Sequence, residues 1–487
     1  MTTVKATPET EVERLLCCIL PGTEWENHLY CVGGYVRDQL MGLDSKDLDL
    51  VVDLEGAAEA FCQRLHEIWP HCTTGPHQLG VHYPIWHIGF CRDIRIEDQT
   101  YHVKGAELDV ADTQQESFPD DESRQRVTRF GTLEQDARRR DFTVNQLMRC
   151  CTTGKTVDPS GRGQQDIRDS VLRCHPDVDP RQVFRDDPLR MLRMHRFTVK
   201  YNWHPTVEVE NAVAKEAHRI KIVSGERVRD ELVKMTQTGN FANAIDYMHH
   251  TGLLAYILPE VDILTTVDQG TRHHSEGNAF QHTLLLLSKV DPTTVACFVA
   301  LLHDTGKLAT QERDGDHVRF HGHEEASGVI AGAVMRRLRF DNQTVDKVTF
   351  IVSNHMRAHH SKDWNSRAVR RFVRDMGDDL EAVLHQTEHD GQSSYGADGQ
   401  PKPNIIPRLR RRIEEQLVIP IRQKPILGGQ AVMDILGCSP GPRVGTAQRW
   451  LQEHVDQAAC LGHEASAEEA TVWLREEYDE GAADDGV

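Results

Sequence analysis

Residues 15–20 carry an apolar helical face, and Tyr30-Cys31-Val32 then reads as a short strand. Asp47, Leu48, Asp49 and Leu50 alternate polar and apolar and run into Val51-Val52. That pattern predicts a strand with Asp47 and Asp49 on one face. Residues 57–65 read as the next helix, and Glu107-Leu108-Asp109-Val110 alternates again, so Glu107 and Asp109 share a face. From about residue 166 onward the pattern is helical and amphipathic. Residues 295–302 are continuously apolar, far short of the ~20 residues a membrane span needs. The order of elements predicts an α+β head followed by an all-helical remainder.

Length and charge narrow this picture. A chain of 487 residues is too long for one core, so several domains are expected. Its 56 basic and 75 acidic residues give a net charge of −19, which argues against general coating of nucleic acid. Any RNA contact must be local, through clusters such as Arg138-Arg139-Arg140 or Arg408-Leu409-Arg410-Arg411-Arg412. The 12 cysteines show no CxxC zinc spacing, and no basic-then-apolar leader opens the chain. These features predict a cytoplasmic protein with reduced thiols.

The chemistry concentrates first in Gly33-Gly34-Tyr35-Val36-Arg37-Asp38 and the strand that follows. Glycines let the backbone approach a phosphate, and the free N–H groups of a helix start can hold it. Carboxylates on one strand face can share a divalent cation. A phosphate cradle beside such a strand equips a protein for metal-assisted nucleotidyl transfer. In this order the two motifs resemble the nucleotidyltransferase superfamily, in particular bacterial-type tRNA nucleotidyltransferases (CCA-adding enzymes) and poly(A) polymerases.

That resemblance implies a polymerase-β-like head, with a mixed sheet and helices, over residues 1–165. It implies Mg2+ bound by Asp47 and Asp49, and a phosphate cradle at Gly33, Gly34 and Arg37. A third carboxylate precedes a stretch that ends in Ala-Arg-Thr in the family. The match points to Glu107, with Asp109 as its rival, and Asp112 stands where the family has Arg. Arg138-Arg139-Arg140-Asp141-Phe142-Thr143-Val144-Asn145 is similar to the family's RRDFTxN motif. Arg140 would take the triphosphate, because a guanidinium donates two bonds at once. Asp141 and Asn145 would hold the sugar and the arginines. The polar stretch 114–130 resembles the family's flexible loop for adding the terminal A.

Residues 166–275 resemble the family's helical neck. Asp187 and Arg190 match its EDxxR segment, three apart on one helical face, with Arg193 as helper. A carboxylate accepts from an exocyclic amino group and a guanidinium donates to ring acceptors. Such a pair admits cytosine and adenine and rejects uracil and guanine. Ser224-Gly225-Glu226-Arg227 with Glu231-Leu232 resembles a packing helix of the family.

Residues 276–400 are rich in histidine. His282, His303-Asp304 and the distant Asp390 resemble the HD metal-dependent phosphohydrolases, with His323 and His355 like the extra histidines of phosphodiesterase-type members. Imidazole and carboxylate together suit Ni2+, Mn2+ or Co2+. His359 and His360 are either pocket residues or exposed. Residues 401–487 form a helical tail, where Pro440-Gly441-Pro442-Arg443-Val444-Gly445 resembles the family's PGPxVG turn at an RNA phosphate.

The expected function is therefore addition of C and A from CTP and ATP to the 3′ end of tRNA, without a template and with release of pyrophosphate. The alternatives are a poly(A) polymerase, a specialist adding only A or only CC, and an HD phosphohydrolase whose head only senses nucleotide.

Overall fold

The structure, a computed structural model, describes residues 7–45, 48–79, 84–117, 127–270, 277–314, 317–396 and 398–478. Asp47 lies outside them, as does the tip of the 114–130 stretch. The described chain forms two compact units, residues 1–235 with 247–257, and residues 236–246 with 258–487. The expected boundaries at 165 and 400 fall inside these units.

The first unit is built on a seven-stranded sheet. Its strands and the two hairpins inserted between them are β1 (Leu29–Val32), β2 (Leu48–Val52), β3 (His77–Leu79), β4 (Ile85–Gly89), β5 (Ile94–Ile96), β6 (Gln99–Tyr101), β7 (Glu107–Asp112), β8 (Gln114–Ser117), β9 (Val127–Phe130), β10 (Met148–Cys150) and β11 (Thr156–Val157). The sheet runs β11-β10-β1-β2-β7-β4-β3. β1 and β2 are antiparallel, with Cys31 opposite Leu50. β2 and β7 are parallel, with Leu48 opposite Leu108 and Asp49 opposite Asp109. The alternation read from the sequence explains the packing: Leu48, Leu50, Leu108 and Val110 point into the core, and the aspartates take the other face. On the leucine face Val12, Leu15 and Leu16 of α1 (Pro8–Ile19) join Phe61 and Leu65 of α3 (Ala57–Ile68) in one apolar cluster with Leu48, Leu50, Leu108 and Val110. Between them α2 (Gly34–Leu40) starts directly after β1. The 114–130 stretch, expected as a loop, has paired ends: β8 and β9 form a ladder from Gln114–Phe130 to Ser117–Val127.

Residues of the expected neck pack into this same unit. α6 (Pro180–Asp186) and α7 (Leu189–Tyr201) follow α4 (Leu133–Arg138) and α5 (Gly163–Asp169). Arg190 donates to the carbonyl of Arg139, Arg193 pairs with Asp141 at 2.7 Å, and the Tyr201 hydroxyl meets Arg37 and Asp38. These ties through buried groups join the first part of the neck, up to residue 235, to the head in one compact unit.

The second unit is almost wholly helical, with one short hairpin of Glu312–Asp314 and His317–Arg319. Helices Ala279–Leu287, Thr294–Leu302, Asn342–Asn354 and Leu380–Ser393 surround its histidines. The tail belongs to this unit because Asp456, on helix Pro442–Cys460, is buried against Arg370 and Arg374 of helix Ser366–Met376. Among the described residues no helix is long and apolar enough to cross a membrane.

His195 of α7 is fully buried; its Nδ1 donates to the Met191 carbonyl and its Nε2 accepts from Thr251. Burial pushes its pKa from 6.5 down to about 4. Above the unfolded value both states are neutral; below it only the unfolded chain takes the proton until the folded value is reached. Stability is thus expected to fall between pH 6.5 and 4, by about 3 kcal/mol from this group. Urea unfolding at several pH values checks this: His195→Gln should flatten the slope, and an unchanged slope would exclude His195 as its source.

Candidate nucleotidyl-transfer and metal sites

β1 ends at the Gly33 turn, and the β1–β2 register sets that turn beside the end of β2 that carries Asp49. Gly33 has φ +68, the left-handed region, and a Cβ there would lie 3.3 Å from Arg140 Nη1. Only glycine combines that backbone with so close a guanidinium. Arg140 is aimed by Asp136, which accepts from its Nε at 3.0 Å and Nη2 at 2.8 Å. The same buried carboxylate takes Arg139 Nε at 2.8 Å and the backbone N–H of Gln114 at 3.2 Å. Burial alone would raise the Asp136 pKa, but Arg140 and Arg139 hold it below the usual carboxylate range.

Asp141 is the second such hub. Its carboxylate accepts from Asn145 Nδ2 at 2.8 Å, the Phe142 N–H at 2.9 Å and Arg193 Nε at 2.7 Å. Burial opposes its charge, yet Arg193, Asn145 and Arg190 hold its pKa well below the ordinary value. The structure thus brings Asp141 and Asn145 of the RRDFTxN motif together with Arg193, which lies outside it.

In the structure Arg37 and the Asp187–Arg190 pair are placed differently from the expectation, and Asp112 has a role of its own. Arg37 is not an open phosphate ligand: it is buried and spends its donors on Asp38, Asn145 and Tyr201. Asp187 and Arg190 do not share a helical face, because Asp187 is extended at φ −145 between α6 and α7. Its carboxylate accepts from the Leu189 N–H at 3.2 Å and pairs with Arg227 at 2.9 Å, while Arg190 turns to the carbonyls of Val183 and Arg139. Asp112, at the family's Arg position, caps the start of α3 by accepting from the N–H groups of Gly56 at 2.7 Å and Ala58 at 2.9 Å.

Of the acidic strand residues, Asp49 and Asp109 stand side by side across β2 and β7, and Glu107 lies two residues along β7 on the same face. Asp47 is outside the described residues. This oxygen-only set fits a hard divalent cation.

In the second unit the expected ligands converge. His282 Nε2 is 2.9 Å from Asp390 Oδ1 and 3.9 Å from Asp304 Oδ2; His303 Nε2 is 3.1 Å from Asp304 Oδ2, and His323 Nε2 is 3.5 Å from Asp304 Oδ1. His282, His303 and Asp304 form one triad and Asp304, His323 and His355 another, with ligand atoms within 4.8 Å in each. His303, His323 and His355 direct Nδ1 at the carbonyls of Ala300, Phe320 and Val352, which leaves each Nε2 as a lone-pair donor facing inward. The Nε2 atoms of His303 and His355 are buried without a hydrogen-bond partner. Burial lowers the His355 pKa to about 3, so the ring is neutral at physiological pH. Burial would raise Asp304 and Asp390, but His303 and Lys307 beside the first, and His282 and His359 beside the second, keep both ionised. Orphaned imidazole nitrogens around anionic carboxylates fit a nitrogen- and oxygen-binding transition ion. Gly306 permits the arrangement: a Cβ there would lie 2.5 Å from the His323 carbonyl.

Two residues here carried no clear signal in the chain alone. His359 Nε2 lies 2.8 Å from Asp390 Oδ2, and Lys307 Nζ lies 2.6 Å from Asp304 Oδ2. Lys307 follows Asp304 by three residues, a spacing that marks a same-face neighbour.

The two-arginine clamp on Asp136 yields a prediction. Asp136→Asn leaves Arg139 and Arg140 without their shared charge, and loss of one partner of a buried pair costs about 3–5 kcal/mol. Urea unfolding should show that loss, and a change within error would mean the clamp contributes nothing.

Residues 29–173 match the family described as the Poly A polymerase head domain, and residues 204–264 match a probable RNA and SrmB-binding site of polymerase A. The A-adding tRNA nucleotidyltransferase of Deinococcus radiodurans is 32% identical over 361 residues, which cover 70% of this chain and 79% of that protein. The CC-adding tRNA nucleotidyltransferase of Thermus thermophilus is 29% identical over 91% of this chain and 92% of its own length. Among solved structures, the Bacillus stearothermophilus CCA-adding enzyme in complex with CTP superposes with a TM-score of 0.62 at 22% identity, over 97% of this chain and 98% of that one. The match to its sequence relatives, over the same stretch that forms the Gly33 turn and the carboxylate row, shows that the chain belongs to the bacterial-type tRNA nucleotidyltransferases.

Proposed function

We propose that the protein adds C and A from CTP and ATP to the 3′ end of tRNA, completing CCA without a nucleic-acid template and releasing pyrophosphate. The observation that carries this reading is Asp49 beside Asp109 across β2 and β7, next to a glycine turn overlain by Arg140. Dependence on a divalent metal goes with the family, and Mg2+ matches the oxygen donors. Asp49, with Asp47 from the sequence and Glu107 or its rival Asp109 from β7, would hold it. When bound, such an ion lowers the pKa of the attacking hydroxyl and neutralises charge on the triphosphate. Arg140, aimed by Asp136, binds the phosphates. Asp141 keeps Arg193 and Asn145 in place beneath them. Asp187 and Arg190 read the base once Asp187 releases Arg227 and Arg190 leaves its carbonyl partners. Cytosine and adenine both offer the amino group that Asp187 accepts from, which favours CCA over one base alone.

The relatives are named for three specificities: A-adding, CC-adding, and, in Halorhodospira halophila, a multifunctional CCA protein. Purified protein incubated with tRNA lacking its 3′ CCA and each NTP singly, then in pairs, separates them by product sequencing. CCA with CTP plus ATP is the expected product. Termination at CC, or A addition only to tRNA ending in CC, would overturn full CCA addition in favour of a specialist. The 12 free cysteines fit the reducing cytoplasm, where we place this reaction.

A second activity is favoured by the histidine cluster. His282, His303, Asp304, His323, His355 and Asp390 would hold Ni2+, Mn2+ or Co2+ and hydrolyse phosphoesters such as 2′,3′-cyclic ends or nucleotides. A bound ion supplies a more acidic water and a polarised phosphoryl oxygen. Asp304→Asn is expected to remove bound transition metal, measured by elemental analysis, and 2′,3′-cyclic phosphodiesterase activity, while CMP incorporation persists. Full metal content in that variant would contradict the assignment.

A further inference from the structure

The sheet face that carries the carboxylates also carries a histidine that no motif singles out. His87 of β4 stands opposite Asp109 of β7, which stands opposite Asp49 of β2. His77 of β3 pairs in turn with His87. One row therefore crosses four strands: Asp49, Asp109, His87, His77. His87 Nδ1 lies 2.7 Å from Asp109 Oδ1. An ionised carboxylate has no proton to give, so the imidazole donates. The ring of His77 lies 5.1 Å from that of His87 and flanks it on the side away from Asp109. His87 is largely covered, at 20% side-chain exposure, whereas Asp109 keeps 43%. The hydrogen bond thus ties one carboxylate oxygen of Asp109 and leaves the group open to solvent beside Asp49.

We propose that His87 is a positioning residue for the nucleotidyl-transfer centre. By holding Asp109 Oδ1 it sets the second oxygen beside Asp49, so that the two strands offer a divalent cation one prearranged oxygen site. The inference rests on the nucleotidyl-transfer reading of the head. Like charges directly opposite on neighbouring strands repel, and a free Asp109 would swing away from Asp49. A donor on the far side removes that freedom before any cation arrives. Partners that orient metal-binding groups in this way are worth about 10–100-fold in metal affinity. The role needs only a donor at the Nδ1 position. An asparagine side chain places its amide nitrogen the same number of bonds from Cβ, so it can replace the imidazole in this one respect.

The test uses the full-length chain in an Asp304→Asn background, so that the histidine cluster of the second unit does not contribute. Two quantities are read: Mn2+ binding to the tRNA-free protein by electron paramagnetic resonance, and the Mg2+ concentration that half-saturates single-turnover CMP incorporation. His87→Ala is expected to raise both constants about 10–100-fold, with the rate at saturating Mg2+ within about threefold of the parent. His87→Asn should stay within about threefold in both, and His87→Ala combined with Asp109→Asn should be no worse than Asp109→Asn alone. Unshifted constants in His87→Ala would overturn the inference. So would His87→Asn as impaired as His87→Ala, because that would make the ring a packing element. A parent protein that incorporates no CMP would instead overturn the reading of the head on which the inference rests.

Discussion

Two strands paired in parallel set two like charges side by side, and the head is organised to tolerate that. Asp49 and Asp109 share a register position across β2 and β7. Their apolar neighbours Leu48, Leu50, Leu108 and Val110 are buried on the opposite face. A slip of one residue in either strand would bury a carboxylate and expose a leucine, so the core enforces the acidic face. The repulsion that follows is eased from outside by His87 and offers a natural place for a cation.

The basic side of the site follows the complementary rule. Buried carboxylates, not solvent, hold the arginines. Asp136 fixes Arg139 and Arg140, and Asp141 fixes Arg193. Guanidiniums held in this way are pointed before a triphosphate arrives, which lowers the ordering cost of binding. It also explains how a chain with a net charge of −19 can present local positive charge to a polyanion.

Much of this was legible in the chain. Alternation over residues 48–50 and 107–110 revealed β2 and β7, because a strand with one face open to solvent alternates. The RRDFTVN string and the His-Asp pair after an apolar helix were legible because their chemistry needs fixed residue types at short spacing. What escaped depended on contacts distant in sequence. The burial of Arg37 is set by Tyr201, 164 residues away, and the pairing of Asp187 by Arg227, 40 residues away. His87 reaches Asp109 only through strand pairing, and the β8–β9 ladder forms in a stretch whose polar composition reads as a loop. The joining of residues 166–235 to the head in one compact unit had the same origin, since it rests on Arg190 and Arg193 reaching Arg139 and Asp141, 51 and 52 residues away in sequence.

The account stands on the carboxylate row as the place where the nucleotide is transferred. Asp49→Asn keeps the size and the strand of the residue and removes its charge, so it probes that claim with little disturbance of the fold. Single-turnover incorporation of labelled CMP into tRNA lacking CCA, with far-ultraviolet circular dichroism as a fold control, is the direct measurement. A folded variant with incorporation at the enzyme-free background is the predicted result. A folded variant that transfers CMP at the parent rate would place the chemistry elsewhere and contradict the account.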